Sequence, residues 1–266
     1  MFRPKWLPPI AVMLVAGTIL FCGCPPSPST IEAVTPTVLR ASERGTLTPV
    51  PLGTSQGISN GDRVSTSAQG EGWLKLPCAW LRVFRDTDLQ FKQISVDGAN
   101  LAAAKGAMVT NTTRCASFKM SSGGDPPEAV VEMRGTTVFF AFDSNKHITL
   151  LAVQDGTATL TNVLANGSSG DAVTVAAGNA SVVRRRNPPE PARPISGMEI
   201  ILGEMDLDRV YARAVQVLQS ERIRAFDLPT LIRQTVIIRE TVILRETVVV
   251  TVTVPRPATV PATRAP

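Results

Sequence analysis

The residues able to do chemistry are few. The 266-residue chain holds four cysteines and one histidine. Cys22 and Cys24 stand one residue apart, but a lone Cys-x-Cys has no further Cys/His cluster to complete a tetrahedral metal site. With one histidine, any multi-histidine site is excluded too, so neither metal nor cofactor is expected. The run Gly53-Thr54-Ser55-Gln56-Gly57 matches the G-x-S-x-G pattern of a nucleophile elbow, with His147 as the available base. That elbow needs a strand before it and a helix after it. Here Pro49-Val50-Pro51 precedes and the Gly/Asn-rich ISNGDRVST follows, which leaves a Ser55 hydrolase as the remote alternative. Acidic residues are scattered rather than paired as a glycosidase requires. No Gly-Lys-Ser/Thr triplet is present to cradle a phosphate. The chain reads as non-enzymatic.

Cys24 has a better use. Met1 to Trp6 carries Arg3 and Lys5, and Leu7 to Phe21 is neutral and mostly apolar. That run is shorter than the roughly 20 residues a membrane-spanning helix needs, and it fits a secretory signal peptide. Phe21-Cys22-Gly23-Cys24 resembles the lipobox of bacterial lipoprotein signals, with phenylalanine where leucine is usual. The resemblance implies a signal peptide over 1–23, lipidation of Cys24 and an extracytoplasmic protein held to the membrane by its N-terminal lipid. Simple secretion and an uncleaved anchor are the alternatives. Cys78 and Cys115 then remain as thiols in an oxidising compartment, either joined as a disulfide or buried free.

Charge points the same way. A net charge of +5 and a pI near 9.3 would in isolation raise nucleic acid as a partner. Export redirects that attraction toward anionic lipid and envelope polymers. Arg184-Arg185-Arg186 is either a solvated domain boundary or a contact for anionic polymer.

The elements that must position these residues follow from texture. Residues 24–37 form a Pro/Ser/Thr spacer. Over 38–186, short apolar bursts alternate with Gly, Asn and Asp, aromatics are scarce at 5%, and Val and Thr abound. This predicts an antiparallel, sandwich- or roll-like β domain. Asp155-Gly156 and Asn166-Gly167 are hairpin signals, because such dipeptides accept positive φ. NPPEPARP lies in a linker over 187–195.

Within that domain, Gly61-Asp62-Arg63-Val64-Ser65-Thr66, Gly135-Thr136-Thr137-Val138-Phe139-Phe140, Val153-Gln154-Asp155-Gly156-Thr157-Ala158 and Val175-Ala176-Ala177-Gly178 follow one another in order. Their sequence and spacing resemble FecR-like domains, the family of the periplasmic iron-dicitrate sensor. Pro77-Cys78-Ala79-Trp80 replaces a Gly-containing turn, and Asn179 stands where Glu or Gln is common. The resemblance implies an extracytoplasmic β domain that binds, senses or scaffolds, with no catalytic residues to carry over. The founding sensor relays to a sigma factor through a cytoplasmic segment, whereas six residues precede the apolar run here. The chain is therefore expected not to be an anti-sigma regulator itself. A signalling component that informs a separate membrane partner is the alternative.

Two segments lie outside the resemblance. Residues 196–228 predict one helix: Ser196 and Glu199 have capping-box spacing, and Leu207, Val210, Tyr211, Ala214 and Leu218 recur with helical period. That stripe packs on the β domain or binds a partner. Residues 229–254 carry a six-residue repeat, Arg-Gln/Glu-Thr-Val plus two aliphatics. A period of six keeps each residue type on one face of a strand but rotates it around a helix. The segment reads as β-prone, and 233–254 as a candidate for homo-assembly. Residues 255–266 form a Pro-rich, disordered tail.

Overall fold

The computed structural model describes residues 28–42 and 45–221. The signal peptide, Cys24, the 229–254 repeat and the 255–266 tail lie outside the described residues.

Among the described residues, seventeen strands follow in order. They are β1 (Thr30–Ala33), β2 (Val38–Ala41), β3 (Thr48–Pro49), β4 (Ser55–Gly57), β5 (Arg63–Thr66), β6 (Gly72–Lys75), β7 (Trp80–Val83), β8 (Asp88–Ile94) and β9 (Gly98–Asn111). Then come β10 (Ser117–Ser122), β11 (Ala129–Met133), β12 (Thr137–Asp143), β13 (Ile148–Asp155), β14 (Thr157–Val163), β15 (Ser169–Ala176), β16 (Asn179–Arg184) and β17 (Arg193–Pro194). A 3-10 turn, Ile195–Gly197, leads to helices α1 (Glu199–Glu204) and α2 (Asp208–Glu221).

Long strand β9 organises the rest. Its first half pairs with β8 and, in parallel, with β10. From Gly106 onward it pairs with β7 and β12. One hydrogen-bonded sheet is thereby folded into two layers. The helix-side layer runs β4-β1-β6-β7-β9-β12-β13-β16-β17. The open layer runs β3-β2-β5-β8-β9-β10-β11-β14-β15. Apart from the β9–β10 pair every ladder is antiparallel, as the alternating pattern requires.

The layers enclose a core in which Ile31, Leu74, Met108, Phe140 and Leu151 of one sheet meet Phe91, Leu101, Phe118, Val131 and Leu160 of the other. A second core lies between the helix-side sheet and the helices, where Phe139, Ala141, Leu150 and Val182 meet Met198, Ile201, Leu202, Val210, Ala214 and Val217. The helix-side strands are thus buried on both faces. This explains why VFFAF and LLAV are unbroken apolar runs instead of alternating ones.

Several expected boundaries shift. β1 lies inside the stretch read as spacer, with Ile31 fully buried. Proline and serine flank that strand without preventing an apolar Ile31 and Ala33 from finding the core. The linker over 187–195 is likewise tied down: Glu190 donates its amide to Val182, and β17 pairs with β16. The single helix over 196–228 is two helices within the described residues, broken at Met205–Leu207 where Asp206 takes φ 54°. Ser196 makes no capping bond; Met198 is the N-cap of α1. Asn166-Gly167 does turn the β14–β15 hairpin. Asp155-Gly156 instead carries the chain from one layer to the other, since β13 and β14 belong to different layers.

Gly106 is where β9 changes layers, at φ 108°, and a Cβ there would stand 2.3 Å from Thr87 Cα. Thr87 Oγ1 fills that space, donating to Ala107 O at 3.1 Å and accepting from Ala107 N at 3.0 Å. Gly106→Ala should therefore cost at least about 2 kcal/mol in denaturant unfolding. Gly178→Ala, at φ 79° with open space around it, should cost about 1 kcal/mol.

Candidate functional site

The strand registers give the sandwich two poles. Thr30, Lys75, Trp80, Asn111, Thr137 and Asp155 form one continuous cross-strand row near the first pole. Here Cys78, in the β6–β7 turn, is joined to Cys115, which follows β9, with their Cα atoms 4.9 Å apart. Both cysteines are buried. The Pro77-Cys78-Ala79-Trp80 departure from the resembled family is thus a turn, closed by Leu76 N donating to Ala79 O, that carries half of a disulfide.

The opposite pole gathers polar side chains. His147 closes the β12–β13 turn at φ 55°, and its Nδ1 lies 2.6 Å from Glu128 Oε1. Glu128 is largely buried, and its Oε2 has no hydrogen-bond partner among the described residues. Ser122 and Thr149 hydroxyls pair at 2.7 Å in the same end of the core. The arrangement fixes the imidazole's orientation, as the carboxylate of a catalytic dyad would.

It does not serve Ser55. Ser55 sits on edge strand β4, separated from β12 by β1, β6, β7 and β9. At one strand spacing each, that is about 24 Å across the sheet. Moreover, β4 ends at Gly57 without a following helix, so the elbow geometry is missing.

The arginine run is consumed largely by its own chain. Arg184 donates to Glu204 Oε1 at 2.8 Å and Oε2 at 3.0 Å and to Glu190 Oε1 at 3.0 Å. The hydrogen bond to Glu204 leads in holding the Arg184 guanidinium above its ordinary pKa, against an opposing effect of burial. The same contact holds the Glu204 carboxyl below the usual carboxylate range. Arg186 donates to four backbone carbonyls, those of Pro126 (2.8 Å), Pro127 (2.9 Å), Val163 (3.2 Å) and Leu164 (3.1 Å). It closes three loops of the pole at once. Of the three, Arg185 alone is exposed, at φ 49°. Carboxylates face Arg184 and carbonyls face Arg186, so of the triplet expected to contact an anionic polymer two members also carry intramolecular bonds.

Sequence reasoning missed a third group. Arg82 is buried on the helix-side sheet, its Nη2 2.5 Å from Glu71 Oε2 and its guanidinium 4.8 Å over the Trp73 ring. Trp73 packs against Trp80 at 5.1 Å, and Arg213 of α2 also reaches Glu71. The cross-strand pair Trp73↔Arg82 holds the stack together. A visible hint was the arginine between apolar neighbours in WLRVF, since a buried charge needs such partners.

The open layer's outer face lacks a helix among the described residues. Gln90, Lys92, Lys119, Glu132 and Thr174 are exposed there. A cavity of about 410 Å³ opens on it between Arg63, Asp88, Gln90, Lys92, Ala102 and Asp125. Ala102 lines it together with the Arg63–Asp88 ion pair, 2.8 Å long. Among the described residues no group of three His, Cys, Asp or Glu side chains could hold a metal, and no helix is long and apolar enough to cross a membrane.

No family model and no curated protein matches the chain. The structure is similar to two crystal structures, at 2.50 and 1.65 Å, of a proposed anti-sigma factor from Parabacteroides distasonis. Each gives a TM-score of 0.42 at 11% identity and covers 52% of this chain and 62% of the other.

Arg186→Lys should lower stability by about 2–3 kcal/mol, since one ammonium cannot reach all four carbonyls; Arg185→Ala should change it by less than about 0.5 kcal/mol. The Glu204–Arg184 contribution is present above the ordinary carboxylate pKa and disappears as pH falls through the lowered folded value. Protection factors in α1, corrected for the intrinsic pH dependence of amide exchange, should accordingly fall as the carboxyl is protonated and should already be lower at neutral pH in Glu204→Gln.

Proposed function

We propose that this chain is a non-enzymatic, lipid-anchored, extracytoplasmic module of FecR-like type that binds or scaffolds at the bacterial cell envelope. The observation that carries the binding role is the unequal cover of the two layers. The helices spend their apolar stripe on one sheet, where Val210, Ala214 and Val217 are buried. The other sheet carries exposed Gln90, Lys92, Lys119, Glu132 and Thr174 on its outer face, with a shallow, half-open depression between Arg63, Asp88, Lys92 and Asp125. A relay through the 196–221 region would have to undock that stripe, so the helices support a binding module over a relay arm.

Export is supported by the Cys78–Cys115 bond inside the core. Disulfides of this kind persist in oxidising compartments and are rare in the cytosol. Cys24, after Gly23, is the residue for the lipid. The partner class is an envelope polymer or a membrane protein, and nucleic acid is not part of the reading.

Three measurements test the proposal together. Mass analysis of the mature N-terminal peptide should show diacylglyceryl on Cys24, and Cys24→Ser should leave the membrane fraction; an unmodified Met1 would sink the anchoring claim. Reduction of the disulfide should cost about 2–4 kcal/mol of stability. Purified envelope polymer should retain the wild-type protein at least about tenfold more strongly than Ala102→Trp, which puts a bulky side chain into the depression that Ala102 lines. Equal retention would remove the open face as the binding surface.

A further inference from the structure

We infer that the disulfide pole is the membrane-facing end of the molecule, and that this end, with the β8–β9 turn and Lys75, rests against the lipid headgroups. The inference rests on the lipid-anchoring reading and adds to it an orientation and a contact surface.

The expected spacer ran to residue 37, long enough to hold a domain well clear of the bilayer. The structure removes most of it. Thr30 already pairs with Gly57 and Lys75, and Ile58 donates its amide to Ser29. Only residues 25–29 separate Cys24 from a residue fixed in the sheet. Six steps of fully extended chain reach about 20 Å at most. The lipid-bearing residue itself must sit at the interface, whose headgroup layer is about 5–7 Å deep on each side. Thr30 therefore cannot stand more than about 20 Å from the lipid surface.

Thr30 is the terminal residue of its strand on the disulfide pole. The row Thr30, Lys75, Trp80, Asn111, Thr137 and Asp155 crosses six strands there. The other layer reaches the same pole through Asp97, whose carbonyl accepts the amides of Ala116 and Ser117 beside Cys115. Val96, at the tip of the β8–β9 turn, is 63% exposed. Lys75 and Arg134 are exposed at this pole, as are Asp97 and Asp155. Charge alone thus does not orient the domain; the short leash does, and Val96 is the apolar residue best placed to enter the interface.

The opposite pole is carried away from the membrane. β13 spans eight residues from Asp155 to Ile148, or about 25 Å along the strand. That places His147, Glu128 and Arg186 at the outward end. The open face stands roughly upright between the poles, accessible from the side.

The test uses the full-length lipidated protein reconstituted in vesicles of phosphatidylethanolamine and phosphatidylglycerol. A photo-crosslinking amino acid replaces Val96 or Arg134 at the near pole, or Lys146 or Asn166 at the far one. Covalent lipid capture should be at least about tenfold greater at Val96 and Arg134 than at Lys146 and Asn166. Inserting twenty Gly/Ser residues between Pro28 and Ser29 should abolish that ratio while leaving the protein in the membrane fraction. Equal capture at both poles, with Cys24 shown by mass to carry lipid, would overturn the orientation while sparing the anchor. An unmodified Cys24 would overturn both.

Discussion

The whole architecture depends on one strand being allowed to belong to two layers. β9 can do so because Gly106 takes a backbone angle that L residues avoid, and because Thr87 fits into the space a Cβ would occupy. Its hydroxyl satisfies both the amide and the carbonyl of Ala107 at the bend. Without that crossing, β1 to β8 and β10 to β17 would lack their shared ladder, and the two halves of each layer would have no common spine. A buried backbone that changes partners must still bond every polar group. Here a single threonine solves that problem at the bend.

The crossing also sets which layer is buried twice. Because the second half of β9 lies at the centre of the helix-side sheet, Ala107 and Val109 face α2 while Met108 faces the opposite layer. Small residues on the helix side, Ala107, Ala141, Ala152 and Ala180, let the helices approach closely. The bulky residues that neighbour them, Phe140 and Leu151, fill the core between the sheets. The open layer has no such second demand, so its outer positions are polar and its strands alternate. The division gives the two layers different outer faces: one packs against the helices, and the other carries none among the described residues.

Strand content and the region of the β domain were legible because alternation and β-branched residues have a local cause. The hairpin at Asn166-Gly167 was legible for the same reason. Asp155-Gly156 misled because a turn dipeptide reports a change of direction and says nothing about which sheet the chain enters next. Short β1 was hidden in Pro/Ser/Thr-rich sequence, since four residues with two apolar side chains give too little periodicity to stand out. The roles of Arg184 and Arg186 were not legible at all. Their partners, Glu204 and the carbonyls of Pro126, Pro127, Val163 and Leu164, are distant in sequence and are assembled only by the fold.

The position of β1 has a mechanical side. Any pull on the chain ahead of Thr30 acts along the axis of a strand held on both flanks, by β4 and by β6. Antiparallel hydrogen bonds lie across that axis, so the load falls on both ladders in shear, all bonds together, rather than peeling them one at a time. From β6 the force passes within a few residues to Cys78 and across the covalent bridge to the segment that follows β9. Tension entering at the first strand is thus shared with the spine of the molecule before any single hairpin can open.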